Sequence, residues 1–451
     1  MQFKQFFLGC LAHASYYIGS DAEAAIVDPQ RDVEQYIAEA AANNQTIKYI
    51  IETHLHADFV SGHVELARKT GATIIFGAKA NAEFEHMAVE DGDTLKVGNI
   101  SLKILETPGH TPEGISIVVE NADEPKKILT GDTLFIGDVG RPDLVGSKDF
   151  TAEQMAGFLY DSLHEKILTL PDETEVYPAH GAGSLCGKNM SKETWSTIRE
   201  QKRLNYALQP MAKAEFVGMM TENLTAAPAY FPKSVAKNLA GARNLEDLPK
   251  PKQMSAQEVK DFSGVILDVR SADEYGAAHV PNSLNIGLGG QFASWAGALI
   301  ETDAPVVLIA DAEEKIDEAV MRLARVGIES VEGFLLIKDW TYPAARVEQL
   351  SVEEMNRRLT ENGDVQFIDV RRAGEYESGH APNAVNLTLS DLNKLTDNLD
   401  SSRPTYVICQ GGYRSSAGAS ILERKGFKEL YNISGGTAAW IKAGLEINNG
   451  G

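Results

Sequence analysis

Cysteine is scarce in this chain: three in 451 residues, Cys10, Cys186 and Cys409, an odd number and widely spaced. That argues against a disulfide framework and for a reducing compartment in which each remains a thiol. Long apolar runs are missing as well. No stretch reaches the ~20 uninterrupted apolar residues of a membrane span. The N-terminal FKQFFLGCLAHASYYIGS is interrupted by His13 and Ser15 too early for a secretory signal. A cytoplasmic protein is expected, with that segment and the following AEAAIVDPQ forming a first pair of strands. Positive charge is short too, with 42 Lys+Arg against 64 Asp+Glu and a net charge of −22. Such a surface repels phosphate backbones and anionic headgroups, which speaks against nucleic acid and membranes as partners. Small anionic substrates then have to be caught by local cations. With 17 prolines and 43% hydrophobic residues, the composition is that of folded, core-forming material. At ~150 residues per domain, the length predicts about three domains.

From Gln2 to about Gly183 short apolar runs alternate with amphipathic stretches, and the runs end in polar clusters. This is the pattern of buried strands that carry function at their C-terminal ends, with helices outside. THLHADFVSGH places His54, His56, Asp58 and His63 after one such run; His110 in TPGHTPEG, Asp132 in LTGDTLF and His180 in YPAHG follow three others. Imidazoles and carboxylates delivered by several strand ends can converge on one cation, which a lone surface histidine cannot do. Ser191 to Lys250 reads as largely helical, and the basic, Pro-containing LPKPKQ that follows marks a domain boundary.

The remainder contains a duplication. LDVRSADEYGAAHVPNSLNIGL and IDVRRAGEYESGHAPNAVNLTL match at Asp268/Asp369, Arg270/Arg371, Glu274/Glu375, His279/His380 and Pro281/Pro382, each pair 101 positions apart (369 − 268). That spacing is far longer than a solenoid repeat and indicates two α/β domains. In the second copy, VICQGGYRSSAGA puts Cys409 at the end of an apolar strand, followed by a Gly-rich loop and a helix. The backbone N–H groups of such a loop, with Gly411 and Gly412, form an anion cradle that favours a thiolate, and Arg414 adds a positive charge. Cys409 is the candidate nucleophile. In the first copy Ala310 falls at the place of Cys409 and Lys315 at that of Arg414, so that copy is expected to be non-catalytic, a spacer or interface that suggests a homo-oligomer. Asp369 and His380 read as scaffold, since both copies keep them.

The histidine and aspartate series resembles the metallo-β-lactamase fold, an αββα sandwich whose HxHxDH motif and later His, Asp and His build a site for one or two metals. The departure is at the His of the DH pair, which is Phe59 here. A ligand of the second metal position is therefore lost, and a dinuclear zinc hydrolase is disfavoured. His54, His110 and Asp132 remain, two imidazoles and a carboxylate, a set suited to non-haem Fe(II) and oxygen. This resembles the persulfide dioxygenases, in which the matching ligands hold one Fe(II). The resemblance implies that His56 and Asp58 orient ligands and water by hydrogen bonds, and that His180 lines the vacated second position. Arg141, in a loop matching one that carries an arginine in that family, is expected to catch the carboxylate of a thiol such as glutathione. Cys186, six residues past His180, reads as a pocket thiol or a buried structural cysteine, and Cys10 as structural.

The sequence around Cys409, IDVR…EYESGHAPNAVN upstream and NISGGTAAWIKAG downstream, resembles the rhodanese sulfurtransferases. The expected architecture is thus α/β throughout: a metallo-β-lactamase-fold dioxygenase domain with a helical extension (1–250), a degenerate rhodanese-like domain (251–349) and an active rhodanese domain (350–451), the last two with parallel sheets. The resemblance implies a persulfide dioxygenase with one Fe(II) per chain. It would oxidise a low-molecular-weight thiol persulfide with O2 to sulfite and thiol, and a thiosulfate sulfurtransferase step at Cys409 would yield thiosulfate in sulfide detoxification. The alternatives are a zinc thioesterase resembling glyoxalase II with an attached sulfurtransferase, and a sulfur-relay adaptor.

Overall fold

The computed structural model describes all residues except 123, 145–149, 189, 223, 225–226, 362–364 and 450–451. The chain divides into two compact units, one built essentially of Met1–Leu248, the other of Pro249–Leu323 and Ile328–Gly451.

The first unit holds two six-stranded sheets. One runs in the spatial order Gln2–Leu8, His13–Ser20, Glu23–Val27, Thr46–Ile51, Thr73–Gly77, Met87–Val89. The other runs Ser196–Thr197, Glu175–Pro178, Lys127–Gly131, Ile115–Glu120, Ile100–Glu106, Thr94–Val97. Strand alternation sorts the side chains into layers. Tyr16, Ile18, Ala25, Val27 and Ile51 of the first sheet meet Leu102, Ile104, Ile117, Val119 and Leu129 of the second in one central core. The outward neighbours Tyr17, Ala24, Ile26 and Ile50 pack with Tyr36 and Ala40 of the helix Glu34–Ala42 and Leu66 of the helix His63–Thr70. On the far side Val118, Ile128 and Val176 pack with Ala156 and Leu159 of the helix Ala152–Asp161 and with Phe216. Helix, sheet, sheet, helix is the αββα order. The last of these helices starts at a capping box, in which the Thr151 side chain accepts from the Gln154 N–H while the Gln154 side chain accepts from the Thr151 N–H. Thr46–Ile51, Ile100–Glu106, Lys127–Gly131 and Glu175–Pro178 end just before His54, His110, Asp132 and His180, so both sheets contribute side chains to one rim.

In the second unit two five-stranded, all-parallel sheets repeat one topology. The first runs Lys252–Gln253, Val331–Leu336, Val306–Ala310, Val265–Asp268, Leu284–Asn285; the second runs Glu348–Leu350, Leu430–Ile433, Thr405–Ile408, Gln366–Asp369, Val385–Asn386. Central runs such as VVLIA are buried throughout, as parallel strands covered on both faces require. The register is repeated too: Asp268 pairs with Ile309 and Asp369 with Ile408, which puts Ala310 where Cys409 stands. Among the described residues no helix is long and apolar enough to cross a membrane.

Candidate functional site

His54, His110 and Asp132 come together at the sandwich rim, all buried, with one ligand atom of each within 4.8 Å of the others. The Nε2 atoms of His54 and His110 lie 3.8 and 3.4 Å from Asp132 Oδ2. Their other ring nitrogens are engaged: His54 Nδ1 is 3.0 Å from Thr53 Oγ1, and His110 Nδ1 is 2.9 Å from the Arg141 carbonyl. Each ring is thereby oriented with Nε2 facing the carboxylate, the arrangement expected of metal-ligating imidazoles. Burial holds both histidines below their ordinary pKa and therefore neutral. Burial opposes the charge of Asp132, but His180, His54 and His110 outweigh it and hold the carboxyl well below the usual range. Neutral imidazoles facing an ionised carboxylate make a donor set that a divalent cation fits.

The residues expected around this set take distinct places. His180 is sandwiched between carboxylates, with Nδ1 2.7 Å from Asp132 Oδ1 and Nε2 2.9 Å from Asp58 Oδ2. Burial works against its charge, yet Asp132 and Asp58 push its pKa up to about 10. His56 turns away from the three-residue cluster: its Nε2 lies 3.1 Å from Asp28 Oδ1 and 3.3 Å from Glu52 Oε2. Asp28 in turn accepts from the Thr53 N–H at 2.7 Å and the Thr53 hydroxyl at 2.9 Å, so this second carboxylate–imidazole group leads back to His54. His63 sits with Glu52, 3.1 Å from Oε1. Phe59 is fully enclosed, its ring centroid 4.1 Å from that of His13 and 4.5 Å from that of His56.

Three features were not legible in the sequence. His13 is completely buried, bridges His180 across the strand ends and, through burial, is held neutral. It opens an antiparallel strand without any metal-motif spacing, so no local signal singles it out. Cys186, for which the sequence left open a pocket thiol or a structural cysteine, is buried with Sγ within 4.8 Å of ligand atoms of Asp58 and His180. Burial, with Asp58 and Asp132 beside it, pushes its thiol well up. Arg141 is buried rather than exposed to an incoming anion, and its Nε and Nη2 each donate to Asp143 at 2.8 Å.

In the second unit Cys409 follows the strand Thr405–Ile408 and precedes the helix Tyr413–Arg424. Its Sγ lies 3.1 Å from the Gly412 backbone N and 3.3 Å from Ser415 Oγ. Gly412 has φ +93°, a left-handed conformation that brings its N–H round toward the sulfur and that a side chain would strain. Arg414 also has a partner that the sequence did not announce: Nη1 and Nη2 donate to the two oxygens of Glu375 at 2.7 Å each. Burial raises the Glu375 carboxyl, but the Arg414 bond outweighs it and holds it below its ordinary value. Asp369 receives Arg371 in a fork, and His380 Nδ1 lies 2.9 Å from the Tyr376 carbonyl.

Residues 8–180 match the metallo-beta-lactamase superfamily model, and residues 247–336 and 351–443 each match the rhodanese-like domain model. The mitochondrial persulfide dioxygenase ETHE1 of Bos taurus is 30% identical over 229 residues, which span 50% of this chain and 82% of that protein. A hydroxyacylglutathione hydrolase of Polaromonas sp. is 34% identical over 161 residues, 35% of this chain and 57% of its own length. The crystal structure of a metallo-beta-lactamase from Staphylococcus aureus subsp. aureus COL aligns with a TM-score of 0.67 at 31% identity, covering 74% of this chain and 98% of that one. With its αββα sandwich, its rim of histidines and aspartates and two rhodanese-like domains following in the sequence, the chain belongs to the metallo-beta-lactamase superfamily, in the domain order of a persulfide dioxygenase–rhodanese fusion.

Proposed function

We propose that the chain is an Fe(II)-dependent persulfide dioxygenase coupled to a sulfurtransferase: RSSH, O2 and water give RSH, sulfite and two protons, and sulfite then accepts a sulfur to become thiosulfate. The observation that carries this reading is the cluster of two neutral imidazoles and one carboxylate, with Phe59 where a further imidazole would bind a second metal. His54 Nε2, His110 Nε2 and Asp132 hold the metal. Bound there, Fe(II) supplies oxygen chemistry at its open positions. Thr53 and the Arg141 carbonyl keep the imidazoles aimed. His180, charged between Asp132 and Asp58, holds a proton beside the site where thiol and sulfite are released. The Tyr230 hydroxyl donates to the Asp58 backbone carbonyl at 3.2 Å and fixes the segment that carries Asp58. Arg141, buried and forked onto Asp143, would meet the carboxylate of a glutathione-like carrier only where that pair opens.

At the rhodanese site Cys409 attacks the outer sulfur of a persulfide or thiosulfate. The S–S bond breaks, the departing thiolate or sulfite leaves with the electron pair, and the sulfur remains as a Cys409 persulfide cradled by Gly411 and Gly412 and by Arg414. Attack by sulfite on that outer sulfur returns the thiolate and yields thiosulfate. Covalent linkage of the two activities raises the effective concentration of sulfite for the second step.

Anaerobic reconstitution with metal analysis and an oxygen-electrode assay on glutathione persulfide tests the reading. One Fe per chain and oxygen uptake that disappears in His110→Ala are expected. Activity with Zn(II) and no oxygen uptake would overturn it in favour of the second reading, a thioester hydrolase, which the similarity to the Polaromonas hydroxyacylglutathione hydrolase supports.

A further inference from the structure

The middle copy has no thiol at the place of Cys409, and its segment from Asp268 to Gly290 is where it meets the helix that starts at the Cys409 loop. Tyr413, Ser416, Ser420 and Glu423 follow one another at helical spacings of three and four and form a single stripe on the helix Tyr413–Arg424. Every member of the stripe has a polar partner in the middle copy. The Tyr413 hydroxyl donates to the Gly287 carbonyl at 2.8 Å, and Ser416 Oγ donates to Asn285 Oδ1 at 2.5 Å. The Asn285 N–H donates to Ser420 Oγ at 3.0 Å, and Glu423 lies 3.1 Å from His279 Nε2 and accepts from the Asn282 N–H at 3.3 Å. The Tyr413 ring lies so close to Gly290 that an added Cβ would stand 2.7 Å from ring carbons. Asn285, His279, Ser416 and Ser420 are all buried.

The first turn of this helix is thus held from two directions. Gly412 and Ser415 face Cys409, while Tyr413 and Ser416 face the middle copy. Tyr413 adjoins Gly412, whose N–H points at the sulfur, so tilting the helix would swing that N–H away. We propose that the catalytically empty copy is a brace that positions the Cys409 cradle, with Tyr413 and Ser416 as positioning residues. This rests on reading Cys409 as the nucleophile.

The test uses the full chain with Tyr413→Phe and Ser416→Ala, each removing one hydroxyl. Steady-state transfer from thiosulfate to cyanide is measured, together with the rate of Cys409 alkylation by iodoacetamide followed on its peptide. We expect kcat to fall about tenfold in each variant with KM within about twofold, a several-fold slower alkylation, and unchanged far-UV circular dichroism. Wild-type kcat and alkylation in both variants would overturn the proposal. So would a raised KM at unchanged kcat, because that places Tyr413 on the substrate rather than behind the loop. A wild-type chain that transfers no sulfur would defeat the functional reading, while the alkylation rates would still decide whether the brace exists.

Discussion

In the middle copy Arg270 forks onto Asp268, with Nη2 to Oδ2 at 2.6 Å, and reaches on to the Ala278 carbonyl; in the C-terminal copy Arg371 forks onto Asp369 at 2.7 Å and reaches the Gly379 carbonyl. His279 stacks on Tyr275 with centroids 3.7 Å apart, and His380 on Tyr376 at 3.6 Å. The loops after the central strand share none of this likeness. Cys409 corresponds to Ala310 and its Gly pair to Ala312 and Glu313; Arg414, forked onto Glu375, corresponds to Lys315, which is bonded to Asp311 at 2.8 Å. A buried arginine–aspartate pair is costly to break, because either partner left alone is an uncompensated buried charge. Folding therefore calls for it in both copies. The loop after the central strand of the middle copy holds no such buried pair, so the two copies can share a framework and differ in their chemistry.

Cys409→Ser is expected to lower sulfur transfer from thiosulfate to cyanide by about 10³-fold or more; a residual rate near wild type would place the nucleophile elsewhere. Asp268→Asn and Asp369→Asn should each cost about 3 kcal/mol in urea unfolding followed by circular dichroism. Equal costs support equivalent frameworks, whereas a loss confined to Asp369 would make that pair part of the active loop. Glu375→Gln, which keeps the shape but removes the charge that holds Arg414, should lower kcat about tenfold and leave the unfolding curve nearly unchanged. Ala310→Cys restores the missing thiol without a Gly pair or a free guanidinium, and no new transfer activity is expected in a Cys409→Ser background. Measurable transfer there would mean that the thiol alone, and not its cradle, separates the copies.

The fold was legible because its signals are local or repeated. Apolar runs such as IVVE and VVLIA announce strands, the pair at Asp268 and Asp369 announces a duplication, and histidines after successive strands announce a shared rim. What escaped reading are pairings that only tertiary structure creates. Arg141 and Arg414 look in the sequence like unopposed cations in an acidic chain, yet each meets a carboxylate, from two residues away in one case and from 39 residues away in the other. His13 and Cys186 carry no motif, and their places beside His180 and Asp58 depend on where strand ends and the loop after His180 come to rest. Periodicity and spacing describe single elements; partners across a rim follow from how the layers stack.

Phe59 fixes something that solution conditions cannot undo. An imidazole in its place would be a further nitrogen donor beside His13 and His56, available or not according to pH. A phenyl ring wedged against His13 and His56 has no lone pair to offer at any pH. The choice is written in carbon: whichever cations the surroundings hold, this position stays silent, and only a change of the residue itself can give it a voice.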